Sequence, residues 1–209
     1  MKKVVILSLI MIAAFNFSSC KSEKKSDNKT EEKIEAKKST AAFSLENAQN
    51  EINFVAYKTT DKVPVGGQFK KVDIISGGEG NSIKEAINNT AFSIPVSSVF
   101  TKDTSRDFKV KKFFFGIMEN TKLLSGKLLL TDDTNGVAEI KMNGVTEKVA
   151  FTYTIVENVF NMTGTMDITK WNAGAALASL NTACNDLHKG ADGVSKTWSD
   201  VALNITSTF

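Results

Sequence analysis

The stretch from Asn135 to Trp171, NGVAEIKMNGVTEKVAFTYTIVENVFNMTGTMDITKW, decides the fold. Apolar side chains occupy alternate positions: Ala138, Ile140 and Met142; then Val149, Phe151, Tyr153 and Ile155; then Phe160, Met162, Met166 and Ile168. Mostly polar side chains lie between them, the pattern of antiparallel strands with one face buried and the other in water. Asn143-Gly144 separates the first two runs and suits a type I′ turn, in which both central residues need positive φ. Glu157-Asn158 makes a second tight connection, so the stretch predicts a meander.

Downstream, Ala173, Ala176, Leu177, Leu180, Cys184 and Leu187 predict one apolar face of a helix that stops at Gly190. Val201, Leu203 and Ile205 then alternate in a closing strand that can pair back to the first. Upstream, 51–60 (EINFVAYKTT) and 68–76 (QFKKVDIIS) predict a hairpin with a wide loop through Pro64, Gly66 and Gly67. Residues 81–89 suit a short helix capped by Asn81 or Ser82. Residues 90–97 suit a strand with Phe92, Ile94 and Val96 on one face and Pro95 at an edge or end. Asp103 or Thr104 can cap a further helix, whose Val110, Phe113, Phe114 and Ile117 follow the spacing of one buried stripe. With 121–131 as another strand, the count is about eight. The expected class is mainly β: a single antiparallel barrel with two or three short helices, of a size that holds side chains or one small ligand.

The first residues read differently. Lys2-Lys3 precede the apolar run VVILSLIMIAAF, which is short for a stable membrane span and predicts a signal peptide over 1–19. Phe17-Ser18-Ser19-Cys20 resembles a bacterial lipobox, which implies lipidation at Cys20 and a membrane anchor; Lys21 after it favours the outer membrane by the same resemblance. Residues 20–41 mix charges of both signs with almost no apolar side chains and read as a solvated tether, leaving 42–209 as the one domain. Removing Lys2 and Lys3 from a formal net charge of +3 leaves +1, which gives no electrostatic case for nucleic acid. With only Cys20 and Cys184, no structural disulfide is expected.

GVTEKVAFTYTIVE followed by FNMTGTMDITKW resembles the second half of the YceI-like family of small bacterial lipid-binding barrels. Ser105-Arg106-Asp107 leading into Lys112-Phe113-Phe114-Phe115 resembles the family's Arg-Asp helix with its Phe-Phe. Gly67-Gln68-Phe69 matches its Gly-x-Phe, and Tyr57-Lys58-Thr59 stands where many members carry His. The resemblance covers about 50–209. It implies a lipocalin-like barrel whose apolar tunnel binds polyisoprenoid chains such as quinone or prenyl tails, with no cofactor required, at the bacterial envelope.

Catalytic residues are poorly supplied. The chain has a single histidine, His188, and no Gly-x-Ser-x-Gly, metal-spaced histidine cluster or phosphate loop. Cys184 reads as a small buried hydrophobe, and Asp132-Asp133 as turn chemistry. Arg106 either helps fix its helix on the barrel rim or meets an anion through its planar fork. The expected ligand contacts are Phe54, Tyr57, Phe69, Phe92, Arg106, Phe113, Phe114, Phe151, Tyr153, Phe160, Met162, Met166 and Trp171. Sequence leaves open whether these side chains line a cavity or fill it. A filled barrel would suit a structural lipoprotein that binds another envelope protein.

Overall fold

A computed structural model of the chain describes residues 40–209; the expected signal peptide, the lipidation site Cys20 and nearly all of the tether lie outside the described residues. The chain runs β1 (Phe43–Ser44), β2 (Gln49–Lys58), β3 (Val63–Phe69), β4 (Asp73–Ser76), β5 (Glu79–Gly80), α1 (Ile83–Ile87), β6 (Ala91–Pro95), β7 (Val99–Phe100), α2 (Thr104–Lys109), β8 (Leu123–Leu130), β9 (Asn135–Met142), β10 (Val145–Val156), β11 (Val159–Asp167), α3 (Gly174–Ala183) and β12 (Asp200–Thr208). Ten strands form one antiparallel sheet in the order β4-β6-β8-β9-β10-β11-β12-β2-β3-β7, and β1 pairs with β5. β6 lies beside one edge strand and β7 is the other edge, yet only Val96–Ser98 separate them in sequence. The sheet must therefore curl into a barrel-like shell.

The meander forms as its pattern predicts. Asn143 and Gly144 carry φ of 51° and 73° and turn β9 into β10, with Val145 opposite Met142. Glu157, at φ 54°, begins the turn from β10 to β11. Asn143 also ties this hairpin to its surroundings. Its amide donates to the Trp171 carbonyl at 2.8 Å, its side-chain oxygen accepts the Glu119 N–H at 2.7 Å, and its own N–H donates to Thr121 Oγ1 at 3.0 Å. The closing strand β12 pairs with both β11 and β2.

The sheet has ten strands rather than the eight expected because 68–76 is not one strand and because Val99–Phe100 adds β7 beside β3. The first hairpin turns at Thr59–Lys62, both at positive φ, so β3 begins at Val63 and ends at Phe69. β4 then joins β6 at the opposite edge. Pro64 is tolerated inside β3 because β7 pairs only with Gln68 and Phe69, leaving the outer edge near Pro64 without a ladder for it to break.

Two helices also depart from expectation. Asp103 caps α2 by accepting the Arg106 N–H at 3.0 Å, but beyond Lys109 the chain widens into a π turn over Val110–Phe114. The extra residue in that turn rotates the apolar stripe. Phe115 is buried, whereas Ile117, expected inside, is 51 % exposed. α3 stops at Ala183, and a 3-10 turn over Asn185–Leu187 carries Leu187 outward. Ala173, Ala176 and Cys184 are buried as expected. α1 is capped by Ser82, whose hydroxyl accepts the Glu85 N–H.

The interior is part solid and part hollow. Along β10 the residues alternate sharply between buried Val149, Phe151 and Tyr153 and exposed neighbours. Trp171 is fully buried beside them, its indole N–H donating to the Ile140 carbonyl at 2.8 Å. β2 behaves otherwise, because its inward-facing Ile52, Phe54 and Ala56 are only half-buried. An inward side chain that stays partly accessible faces empty space.

Candidate functional site

That space is a cavity of about 230 Å³. Its walls come from one face of successive strands: Ile52, Phe54 and Ala56 on β2; Phe69 on β3; Ile74 on β4; Phe92 and Ile94 on β6; Leu124 and Leu128 on β8; Ala138, Ile140 and Met142 on β9; Phe160, Met162 and Met166 on β11; Val201, Leu203 and Ile205 on β12. The period of two along each strand puts every one of these side chains inside. Val110, Phe114 and Phe115 after α2, together with Leu177 and Leu180 on α3, complete the lining.

Three of the inward phenylalanines sit opposite glycine. Phe54 pairs with Gly67, Phe92 with Gly126 and Phe151 with Gly136 across neighbouring strands. In each pair the ring lies so close over the glycine that a Cβ there would collide with it. The missing side chains let these rings lie flat against the sheet wall. At Phe54 and Phe92 that arrangement leaves the centre of the shell open.

The few polar groups on the lining are paired with protein. Ser207 Oγ donates to Asn50 Oδ1 at 2.6 Å, and Asn50 Nδ2 donates to the Leu45 carbonyl at 2.7 Å. Thr90 Oγ1 donates to the Ala86 carbonyl and accepts the Gly78 N–H. Thr197 Oγ1 donates to Asn181 Oδ1 at 2.8 Å, and lies 2.6 Å from His188 Nδ1. Since the Thr197 proton is already committed to Asn181, His188 donates from Nδ1. Burial, helped by Lys58 and Lys109, holds the His188 imidazole below its usual pKa and so keeps it neutral near pH 7. Burial likewise pushes the Cys184 thiol up, away from thiolate chemistry. Among the described residues no group of three His, Cys, Asp or Glu side chains is arranged to hold a metal ion. The hollow thus offers a dry apolar surface. An engineered apolar cavity of about 150 Å³ already binds benzene, so this one has room for about two isoprene units as it stands.

Of the expected contacts, Phe54, Phe69, Phe92, Phe114, Phe160, Met162 and Met166 line the cavity. Phe151, Tyr153 and Trp171 face inward but belong to the solid part, and the Tyr153 hydroxyl donates to the Asp132 carbonyl at 2.6 Å. Tyr57 is one residue out of phase with Ile52, Phe54 and Ala56 and lies on the outer face, under the Lys62 ammonium. Arg106 stays outside the lining and meets Asp103 at 3.5 Å, and Phe113 is turned away from the lining by the π turn. Of the Arg106-Asp107 pair it is Asp107 that fixes the helix, accepting the Thr101 N–H and hydroxyl, both at 2.7 Å.

Leu124, Leu128, Val72 and Ile74 line the cavity without being among the expected contacts, and so does Phe115 of the Phe-Phe motif. LLSGKLLL offers apolar residues on both faces of β8, so alternation alone could not choose which leucines point inward. The signal was Gly126, whose partner Phe92 fixes that face as the inner one.

Comparison with known proteins places this architecture. The YceI-like domain matches residues 43–209. No curated protein matches the chain. Among solved structures, a polyisoprenoid binding domain from Saccharophagus degradans implicated in plant cell wall breakdown is similar, with a TM-score of 0.54 and 12% identity over 76% of this chain and 91% of that one. BcnA of Burkholderia cenocepacia is similar, with a TM-score of 0.51 and 14% identity over 80% of this chain and 99% of that one. At these identities the likeness is one of fold.

Proposed function

The chain belongs to the YceI-like domain family, and from that premise we propose that it binds and carries the tail of an isoprenoid, a quinone or a prenyl lipid, without covalent chemistry. The observation that carries this reading is the apolar cavity, lined from β2 around to β12 and polar at only a few satisfied points. The printed description of the Saccharophagus degradans domain as polyisoprenoid binding supports the same ligand class.

Each isoprene unit buried contributes roughly 3 to 4 kcal/mol, and association costs at least about 4 kcal/mol. Two units therefore give a modest net affinity, and a longer tail is needed for firm retention. Met142, Met162 and Met166 are flexible enough to swing aside and lengthen the hollow as further units enter. In this reading Cys20 carries the lipid anchor, and 21–41 tether the domain to the outer membrane of the bacterial envelope.

The experiment is a titration with isoprenoid quinones of increasing tail length, followed by tryptophan fluorescence. Trp198 lines the cavity and Trp171 lies buried in the adjoining core. Saturable quenching whose affinity rises steeply from one to several isoprene units supports the reading; affinity independent of tail length would refute it.

A further inference from the structure

The helical segment that covers the cavity has a second face. Val110, Phe114 and Phe115 line the hollow, while Phe108 is 56 % exposed and packs edge to face against Phe113, with ring centroids 6.4 Å apart. The Lys112 ammonium lies 5.4 Å from the centre of the Phe108 ring and 5.3 Å from that of Phe113. The π turn produces this division, because its extra residue sends neighbouring phenylalanines to opposite sides.

The surrounding charge is one-sided. Lys102, Arg106, Lys109, Lys111 and Lys112 face only two carboxylates in the same segment, Asp103 and Asp107. Asp107 is buried against Thr101, and Asp103 caps the helix and meets Arg106. Among the described residues, Lys109, Lys111 and Lys112 take part in no salt bridge. An aromatic pair under the Lys112 ammonium, in a segment with an excess of positive charge, matches an anionic bilayer, with rings at head-group depth and cations among the phosphates.

We propose that this face, Phe108 with Phe113 and Lys112 and the adjoining Lys111, docks on an anionic lipid surface. Docking there brings the cover of the cavity against the bilayer, so that a tail can pass between membrane and barrel without crossing water. The docking does not depend on what the cavity holds; the transfer step rests on the carrier reading.

The test is co-sedimentation of the full chain with vesicles of phosphatidylglycerol and phosphatidylcholine, and with phosphatidylcholine alone. The N-terminal segment is common to all variants, so differences between them report this face. Each basic residue near an anionic surface contributes about fivefold, so Lys111→Gln with Lys112→Gln is expected to weaken binding about 25-fold. Phe108→Ser should weaken it about tenfold or more. The control pair Lys141→Gln with Lys148→Gln, on β9 and β10, should lose far less. Thermal melts establish that each variant is folded. Variants that bind like the native chain, a control that loses as much, or a face that captures an acidic protein while vesicle binding is unchanged would each overturn the proposal. A chain that docks but takes up no isoprenoid would overturn the carrier reading alone, and one that takes up isoprenoid but ignores anionic vesicles would overturn docking alone.

Discussion

Phe54 on β2 and Gly67 on β3 are direct cross-strand partners, and the Phe54 ring occupies the space that a Cβ at Gly67 would need. Gly67 therefore holds a wall of the cavity in place by having no side chain. In Gly67→Ala the ring must swing away from the sheet, into the hollow. We expect a loss of about 1 to 3 kcal/mol in denaturant stability and a drop in isoprenoid affinity larger than that loss explains. An alanine variant with native affinity would show that Phe54 does not shape the site.

Met162 and Phe151 point to the same side of adjacent strands but do different work. Both are buried in the core, but only Met162 also lines the cavity, while Phe151 packs over Gly136. Phe151→Ala should cost about 3 to 5 kcal/mol of stability. Met162→Ala, at a side chain equally buried but also bordering the cavity, should cost about 2 to 5 kcal/mol and should shift the preferred tail rather than abolish binding. Paired chemical denaturation and tail-length titrations separate the two effects.

Asn143 combines a left-handed turn position with three hydrogen bonds to Trp171, Glu119 and Thr121. Asn143→Ala keeps only the backbone donor and places alanine at positive φ. At about 1 kcal/mol per hydrogen bond, with added backbone strain, the expected loss is roughly 2 to 4 kcal/mol in urea unfolding. Asn143→Gly, which relieves the strain, should recover part of it.

His188 gives a pH signature that is easy to assign, because the chain has a single histidine. Its folded pKa lies below 6.5, chiefly through burial and then through Lys58 and Lys109. The unfolded chain therefore binds the proton more readily. This contribution to stability is fully present above the unfolded pKa and is lost as pH falls through the folded one. Proton NMR of the imidazole should show titration below 6.5, and His188→Gln should flatten the decline in stability on acidification. An imidazole titrating above 6.5 would contradict the assignment.

The meander was legible because polar and apolar residues alternate there without interruption, and because Asn143-Gly144 has one favoured geometry. Pairing of β12 with β2 followed from the same alternation at Val201, Leu203 and Ile205. The cavity was less legible. Alternation tells inside from outside, but it cannot tell a filled interior from a hollow one, so Phe151 and Phe160 read alike although only Phe160 meets the hollow. Tyr57 has the aromatic ring of a ligand contact, but its odd position relative to Ile52 and Phe54 puts it outside. Phe113 and Ile117 share one stripe only at a 3.6-residue period, and the chain there takes a π turn instead.

The central claim is that this shell holds an isoprenoid tail. Its most direct test is native mass spectrometry of the protein purified without detergent, followed by solvent extraction and identification of what was bound. The account predicts a stoichiometric prenyl lipid or quinone, retained by the native chain and weakened in Gly67→Ala. A protein that emerges empty and takes up no long-chain isoprenoid when offered it would contradict the account.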